Sequence, residues 1–311
     1  MAYPTIDKPY GLKPVNLIGG RVFSGSTRML PIQQGYATNL FNGDVVGISA
    51  GTAVITPHTI TTSGITAGAF AGVFLGAEYT QGTSGPLFGK MRNQFYPAST
   101  NAPDAVAYVV DDPQQLFRAC VVAQTAAAAA GTVVSGTTVG YVSPRYVGSN
   151  MLLSTSAGST STGDSFMGVA GVAPLTTASL NAATTVGTGV PLTTITGAGA
   201  TGVFRIVQLV PDTAVTVGTT ITTAAGSGTS FSVASATGLQ PGMQIVLLGV
   251  SGTTAGAPGN TTYVTGVNGT TVTVSASVTW TTNQVVSFIG YPEVIVAWNF
   301  GFHNYMNGTG A

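Results

Sequence analysis

Two short stretches of this sequence carry the spacing of known chemistry. Gly47-Ile48-Ser49-Ala50-Gly51 matches G-x-S-x-G, in which a strained strand-to-helix turn exposes a nucleophilic serine. Gly197-Ala198-Gly199-Ala200-Thr201-Gly202 matches G-x-G-x-x-G, the dinucleotide-binding spacing. Each chemistry needs a helix to follow the motif. TAVIT (52–56) follows the first and VFRIVQLV (203–210) the second, and both read as strands. Residues 215–230 also hold no acid of the kind a dinucleotide ribose requires. The stretches therefore read as a hairpin turn and a glycine-rich loop.

The other candidates are few. His58 and His303 are the two histidines, and neither has a triad partner or a Cys/His cluster around it. Cys120 is alone, so no intrachain disulfide forms, and its setting in LFRACVVA predicts a buried, inert thiol. Asp111-Asp112-Pro113 is the densest acidic pair. Calcium wants six to eight oxygens, and Asp104 is the only further acid nearby, so a turn or a helix N-cap is expected there. Nine acids and nine bases scattered over 311 residues leave little from which to build an acid–base pair. The sequence predicts no enzyme, no cofactor and no metal site.

Charged residues make up 6 % of the chain, against about 25 % in an ordinary soluble domain, and the net charge is zero. Little repulsion holds copies apart, which points to a protein that works in an assembly. The neutral balance argues against nucleic acid, because phosphate contacts need clustered Lys and Arg. The longest apolar runs, 64–76 and 119–134, are short or broken by Gly, Gln and Thr, so no membrane helix is expected. MAYPTIDKPY lacks an apolar signal core.

The elements that must position whatever function exists are strands. DVVGIS (44–49), TAVIT (52–56), AGVFLG (71–76), AVAYVV (105–110), LFRACVVA (116–123), VFRIVQLV (203–210) and EVIVAW (293–298) are short β-branched or aromatic runs between Gly, Asn, Pro and Ser. The expected class is all-β, a barrel or sandwich. QTAAAAA (124–130) is the one helix-like run, too short to stand alone. Residues 213–288 carry no charge at all and read as a small β domain inserted into a main domain of 29–212 plus 289–311. Within the insert, 262–280 reads as a hairpin with a type I′ turn on Asn268-Gly269, and Pro241-Gly242 as a second turn. The Ser/Thr/Gly/Ala-rich stretch 154–201 reads as linker or exposed loop.

YGLKPVNLIGGR (10–21), YATNLFNGDVV (36–46), AGVFLGAEY (71–79), AYVVDDPQQLF (107–117) and EVIVAWNFGFHNYMNGTG (293–310), in that order, resemble a group of tailed-bacteriophage virion structural proteins. By analogy with capsid cement proteins, the resemblance implies a head decoration protein on the capsid exterior. Such a protein is commonly a homotrimer and braces the major capsid protein of neighbouring capsomers. It does not extend over 213–288, for which a projecting module that binds host-surface glycans is an alternative, as is a tail or fibre component. The aromatics available there for a glycan platform are Phe231, Tyr263, Trp280 and Phe288.

The first 28 residues hold Lys8, Lys13, Arg21 and Arg28, four of the nine basic residues, against one acid. Pro9 and Pro14 keep the segment extended, and Tyr10, Leu12, Val15, Leu17 and Ile18 offer apolar anchors. The expectation is an extended arm over 1–28 that binds the capsid or a neighbouring protomer by strand addition, its bases meeting a neighbour's acids. The alternative is a first strand of the chain's own barrel.

Overall fold

Strands form where β-branched and aromatic residues alternate with small or polar ones, because that pattern fits a pleated surface with one face buried. A computed structural model describes residues 8–49, 54–57, 70–81, 89–123, 134–135, 147–172, 203–210, 213, 216–247, 262–299 and 303. In chain order its strands begin with β1 (Lys13–Leu17), β2 (Arg28–Pro31), β3 (Leu40–Phe41), β4 (Val45–Ser49), β5 (Val54–Pro57), β6 (Phe70–Gln81) and β7 (Gly89–Asn93). Next come β8 (Phe95–Tyr96), β9 (Val106–Val110), β10 (Gln115–Ala123), β11 (Val134–Ser135), β12 (Asn150–Thr155), β13 (Gly168–Val172) and β14 (Phe204–Val210). The last are β15 (Thr216–Thr220), β16 (Gly226–Ser232), β17 (Gln244–Leu247), β18 (Val264–Asn268), β19 (Thr271–Trp280), β20 (Val285–Ile289) and β21 (Glu293–Trp298). The fold is all-β.

Five strands close a barrel in the order β10-β13-β12-β14-β21 and back to β10. Closure depends on the length of β10. Its first part pairs with β21, from Leu116↔Ala297 to Cys120↔Glu293, and its last three residues pair in parallel with β13. The interior is filled with period two: Phe117, Ala119 and Val121 on β10, Met151 and Leu153 on β12, Phe204 and Ile206 on β14, and Val294, Val296 and Trp298 on β21. Trp298 is its centre, with ring centroids 4.7 Å from Phe204, 5.8 Å from Phe70 and 5.9 Å from Phe117.

A second sheet, β2-β9-β6-β4-β5 with β7 beside β6, packs its own core of Val46, Phe74, Tyr79, Tyr96 and Val109. It adjoins the barrel through Val45, Phe70, Val73 and Val110, whose side chains join the barrel's core. The sheet curls enough to bring its edge strands β2 and β5 near one another.

Residues 216–289 form two three-stranded sheets, β15-β20-β17 and β16-β19-β18, closed over a core that includes Phe231, Trp280 and Phe288. Among the described residues, none outside 217–288 contributes to that core. The chain leaves the barrel at the end of β14 and re-enters at the start of β21, and these ends are ladder partners, Val210↔Glu293. An insertion there leaves the barrel's hydrogen bonds intact.

Two local readings need correction. The stretch 154–201 is not all linker or loop, because GVAGV at 168–172 is barrel strand β13. Small residues hid it, yet they suit a strand whose Gly168 backbone packs against the Cys120 carbonyl, 2.9 Å from where a β-carbon would stand. The β18–β19 turn is displaced by one residue. Asn268 pairs with Thr271, so Gly269 and Thr270 are central, and only Gly269 has positive φ, 59°. That is the type II′ arrangement, which asks for glycine only at the first central position.

Gly47, Ile48 and Ser49 lie in β4, which pairs antiparallel with β5 as Ser49↔Val54, while Ala50 and Gly51 lie outside the described residues. GAGATG, His58 and QTAAAAA lie outside the described residues.

Candidate functional site

Residues 1–7 of the expected arm lie outside the described residues, and the remainder divides into two unlike parts. Residues 8–17 do not form a free arm. Lys13–Leu17 is β1, paired antiparallel with β10 as Lys13↔Arg118, Pro14↔Phe117 and Leu17↔Gln115. The physical reason lies in the anchors, which find pockets in their own chain. Leu12 has 0 % exposure and belongs to the barrel core, and Pro9 is buried beside Gly168. Gly11 (φ +78°) crosses Gly43 (φ +97°) so closely that a β-carbon on Gly11 would stand 2.7 Å from the Gly43 Cα. The Leu12 N–H donates to the Gly43 carbonyl there at 2.9 Å. Only two glycines in this backbone region permit that crossing.

Tyr10 leads into a buried polar knot. Its hydroxyl donates to Glu293 Oε1, and Arg118 Nη2 donates to Glu293 Oε2. Glu293 is 1 % exposed, and its N–H donates at 2.8 Å to Thr213 Oγ1, which donates in turn to the Val210 carbonyl. Burial, and then the neighbouring Cys120 and Glu293, push the Tyr10 phenol well above its usual range, so it stays a neutral donor. Burial does the same to the Cys120 thiol, which leaves it unreactive.

The bases also have partners at home, which corrects the expectation that they await a neighbour's acids. Lys13 Nζ lies 3.0 Å from Asp164 Oδ1 and donates to Asn42 Oδ1. Arg28 pairs with Asp111 at 3.5 Å, and the Lys8 ammonium sits 5.2 Å from the Phe166 ring centroid. Asp112 Oδ1 accepts from the Gln114 N–H at 2.8 Å, so the acidic pair shapes the β9–β10 turn and starts no helix. Arg21 makes no ion pair among the described residues.

Residues 18–28 are the other part, and together with the rest of β2, to Pro31, they lie on the surface. Ile18 is 49 % exposed, Val22 77 % and Met29 61 %. The Leu17 N–H donates to the Arg21 carbonyl at 2.8 Å, closing a tight turn with Ile18 at its tip and Arg21 at its base. Residues 23–27 make no ladder, and Phe23 pins them to the barrel core. On β2, Met29 stands opposite Tyr108 of β9. The Tyr108 ring faces out, because Ala107 and Val109 on either side are buried. The Arg92 guanidinium stacks 4.4 Å from its centroid, and its hydroxyl donates to Glu78 Oε2 at 2.9 Å. Thr27, Leu75, Arg92, Gln94 and Tyr108 line a shallow groove of about 330 Å³ beside this strip.

The remaining titratable groups serve packing. His303 is fully buried edge-on to Trp298, and burial lowers its pKa. Asp44 is buried, its Oδ2 accepting from the Phe41 N–H at 2.8 Å, and burial pushes its carboxyl up to about 6. Among the described residues, no three His, Cys, Asp or Glu side chains come together as metal ligands, and no helix is long and apolar enough to cross a membrane. In the insert, Phe231, Trp280 and Phe288 are core residues, so they are not available as a glycan-stacking platform.

Sequence reasoning passed over Glu293, Asn42, Asp164, Arg92 and Tyr108 as functional residues. One signal was present for Glu293: a lone acid opening a strongly apolar strand must be paired once buried. No protein-family model, curated protein or solved structure matches this chain.

Proposed function

We propose that this chain is a head decoration protein of a tailed bacteriophage, bound to the major capsid protein through the surface strip 18–31. The exposed side chains of that strip carry the reading. Among the described residues, Val22, Met29 and Ile18 are the three most exposed large apolar side chains, and they lie within twelve positions of one another. Exposed apolar side chains in one short segment, Ile18 and Val22 at the turn after β1 and Met29 opposite the Arg92–Tyr108 stack, suit a partner surface better than water. The order of the sequence motifs and the scarcity of charge agree with a shell-bound role.

The mechanism is adhesive. The half-arm 8–17 is locked into the barrel, so the strip is presented by a rigid support and loses little entropy on docking. Each Å² of apolar surface covered contributes ~25 cal/mol, and many copies per shell multiply a modest contact. A threefold arrangement would let one trimer touch several capsomers.

The test is co-sedimentation of the purified full chain with particles that lack it. Saturable binding at hundreds of copies per particle is expected, and Val22→Asp with Met29→Asp should abolish it while the circular dichroism spectrum stays unchanged. Unaltered binding by that variant, or six or twelve copies per particle, overturns the reading. The latter result would indicate a tail component.

A further inference from the structure

The Lys13 side chain reaches across three segments that are distant in sequence. Its Nζ donates to Asn42 Oδ1 and lies 3.0 Å from Asp164 Oδ1. The segments are also fixed independently of those side chains. Asn42 and Asp164 form a parallel bridge, the Asn42 N–H donates to the Gly163 carbonyl at 2.9 Å, and the Ser165 N–H donates to the Asn42 carbonyl at 3.0 Å. The Asn42 amide is oriented as well. Its Nδ2 donates to the Leu75 carbonyl at 2.7 Å, which turns Oδ1 toward the lysine.

An amine, a carboxamide and a carboxylate held together are the reactants and the proton carrier of a transamidation. We propose that Lys13 and Asn42 become joined by an intramolecular isopeptide bond, with Asp164 as the proton carrier. The Lys13 ammonium gives one proton to the Asp164 carboxylate, and the freed Nζ lone pair attacks Asn42 Cγ. The amine already touches the carbonyl oxygen, about 1.2 Å from that carbon. In the tetrahedral intermediate, Asp164 passes its proton to Nδ2. The Cγ–Nδ2 bond breaks, ammonia leaves and takes up the second Nζ proton, and an Nζ–Cγ amide remains. One ammonium is lost, no oxidant or reductant is consumed, and Asp164 returns to its starting state.

Proximity supplies the driving rate. Groups fixed in contact react with effective molarities on the order of 10⁵ M or more, and a single irreversible turnover suffices. A second acid lies close by: Asp44 is buried two residues from Asn42, and the Lys13 charge acts on it. The product would tie β1, the 42–44 turn and the loop before β13 into one covalent unit, closing a loop between residues 29 positions apart.

Mass spectrometry of the full-length folded protein decides the matter. After incubation near neutral pH, a proteolytic digest should contain a branched peptide carrying Lys13 and Asn42, lighter by one ammonia than its two parts. Lys13→Arg retains a cation for Asp164 but has no simple amine, and should lose the branched species entirely. Asp164→Asn, which keeps the shape of the site, should lose it too. Recovery of only linear peptides from the wild-type chain, or of the branched peptide from Lys13→Arg, overturns the proposal.

Discussion

The barrel and the insert are both small β structures with apolar cores, yet the barrel adds buried polar contacts between segments far apart in the chain. The insert has no charged residue, and it depends on alternating Val and aromatic side chains closed over one core. Barrel strands also alternate, but their assembly depends on polar knots joining distant segments: Tyr10–Glu293–Arg118, Lys13–Asn42–Asp164 and the buried Asp44. The difference concerns locality. The insert's apolar core lies within residues 217–288, whereas closing the barrel requires residues near 10, 118 and 293 to meet. Apolar burial suffices for the first; the second also uses directional bonds that specify which segment goes where.

The largest expected effect comes from removing residues 1–17. Loss of β1, Leu12 and the Tyr10 donor should leave the barrel unfolded while the insert stays folded. The two tryptophans make this measurable, because Trp280 reports on the insert and Trp298 on the barrel. A truncated chain whose Trp298 signal still melts cooperatively breaks the comparison. By the same reasoning, a fragment of residues 213–288 should be soluble and β-rich, and a molten product would show that the insert leans on the barrel.

Single substitutions sharpen the contrast. Trp280→Ala should cost the insert about 3–5 kcal/mol and leave the barrel's transition in place. Glu293→Ala should cost the barrel about 2–4 kcal/mol, the range reflecting an Arg118 that is partly exposed and can rehydrate. Chemical denaturation followed at each tryptophan separates the two, and a matched loss at both sites would mean the regions unfold as one.

Asp44 gives the barrel a pH dependence that the insert cannot have. Its folded carboxyl titrates near 6 and its unfolded one near 3.8, so ionisation is harder in the folded state. Well below pH 3.8 both states are protonated and the group contributes nothing. Between about pH 4 and 6 the unfolded state ionises first, and stability falls as pH rises, by about 3 kcal/mol at the plateau above 6. Asp44→Asn should flatten that slope in the barrel's melting curve and leave the insert's unchanged. The smallest stability effect belongs to Val22→Asp, within about 0.5 kcal/mol because the residue is exposed, although capsid binding should suffer.

Much of the strand content was legible because a half-buried strand writes its period into the residues. VVGIS, FRIVQLV and EVIVAW stand in the structure nearly where their alternation puts them. GVAGV was not legible, because small residues carry no strong pattern and only its barrel neighbours make it a strand. The candidate site was half legible. Exposure of Ile18 and Arg21 fits a segment meant for contact, but Tyr10, Leu12 and Lys13 looked equally like contact residues until their partners 29 to 283 positions away were known.

By itself the sequence determined the all-β class, the uncharged character of 213–288 and the scarcity of catalytic material, since these follow from composition and local periodicity. Tertiary structure alone decided that the N-terminal anchors face inward, that Glu293 binds three segments together, and that Lys13 rests on Asn42. The reason is range: periodicity is set by adjacent residues, whereas the partner of a polar or apolar anchor is chosen by the closure of strands far apart in the chain.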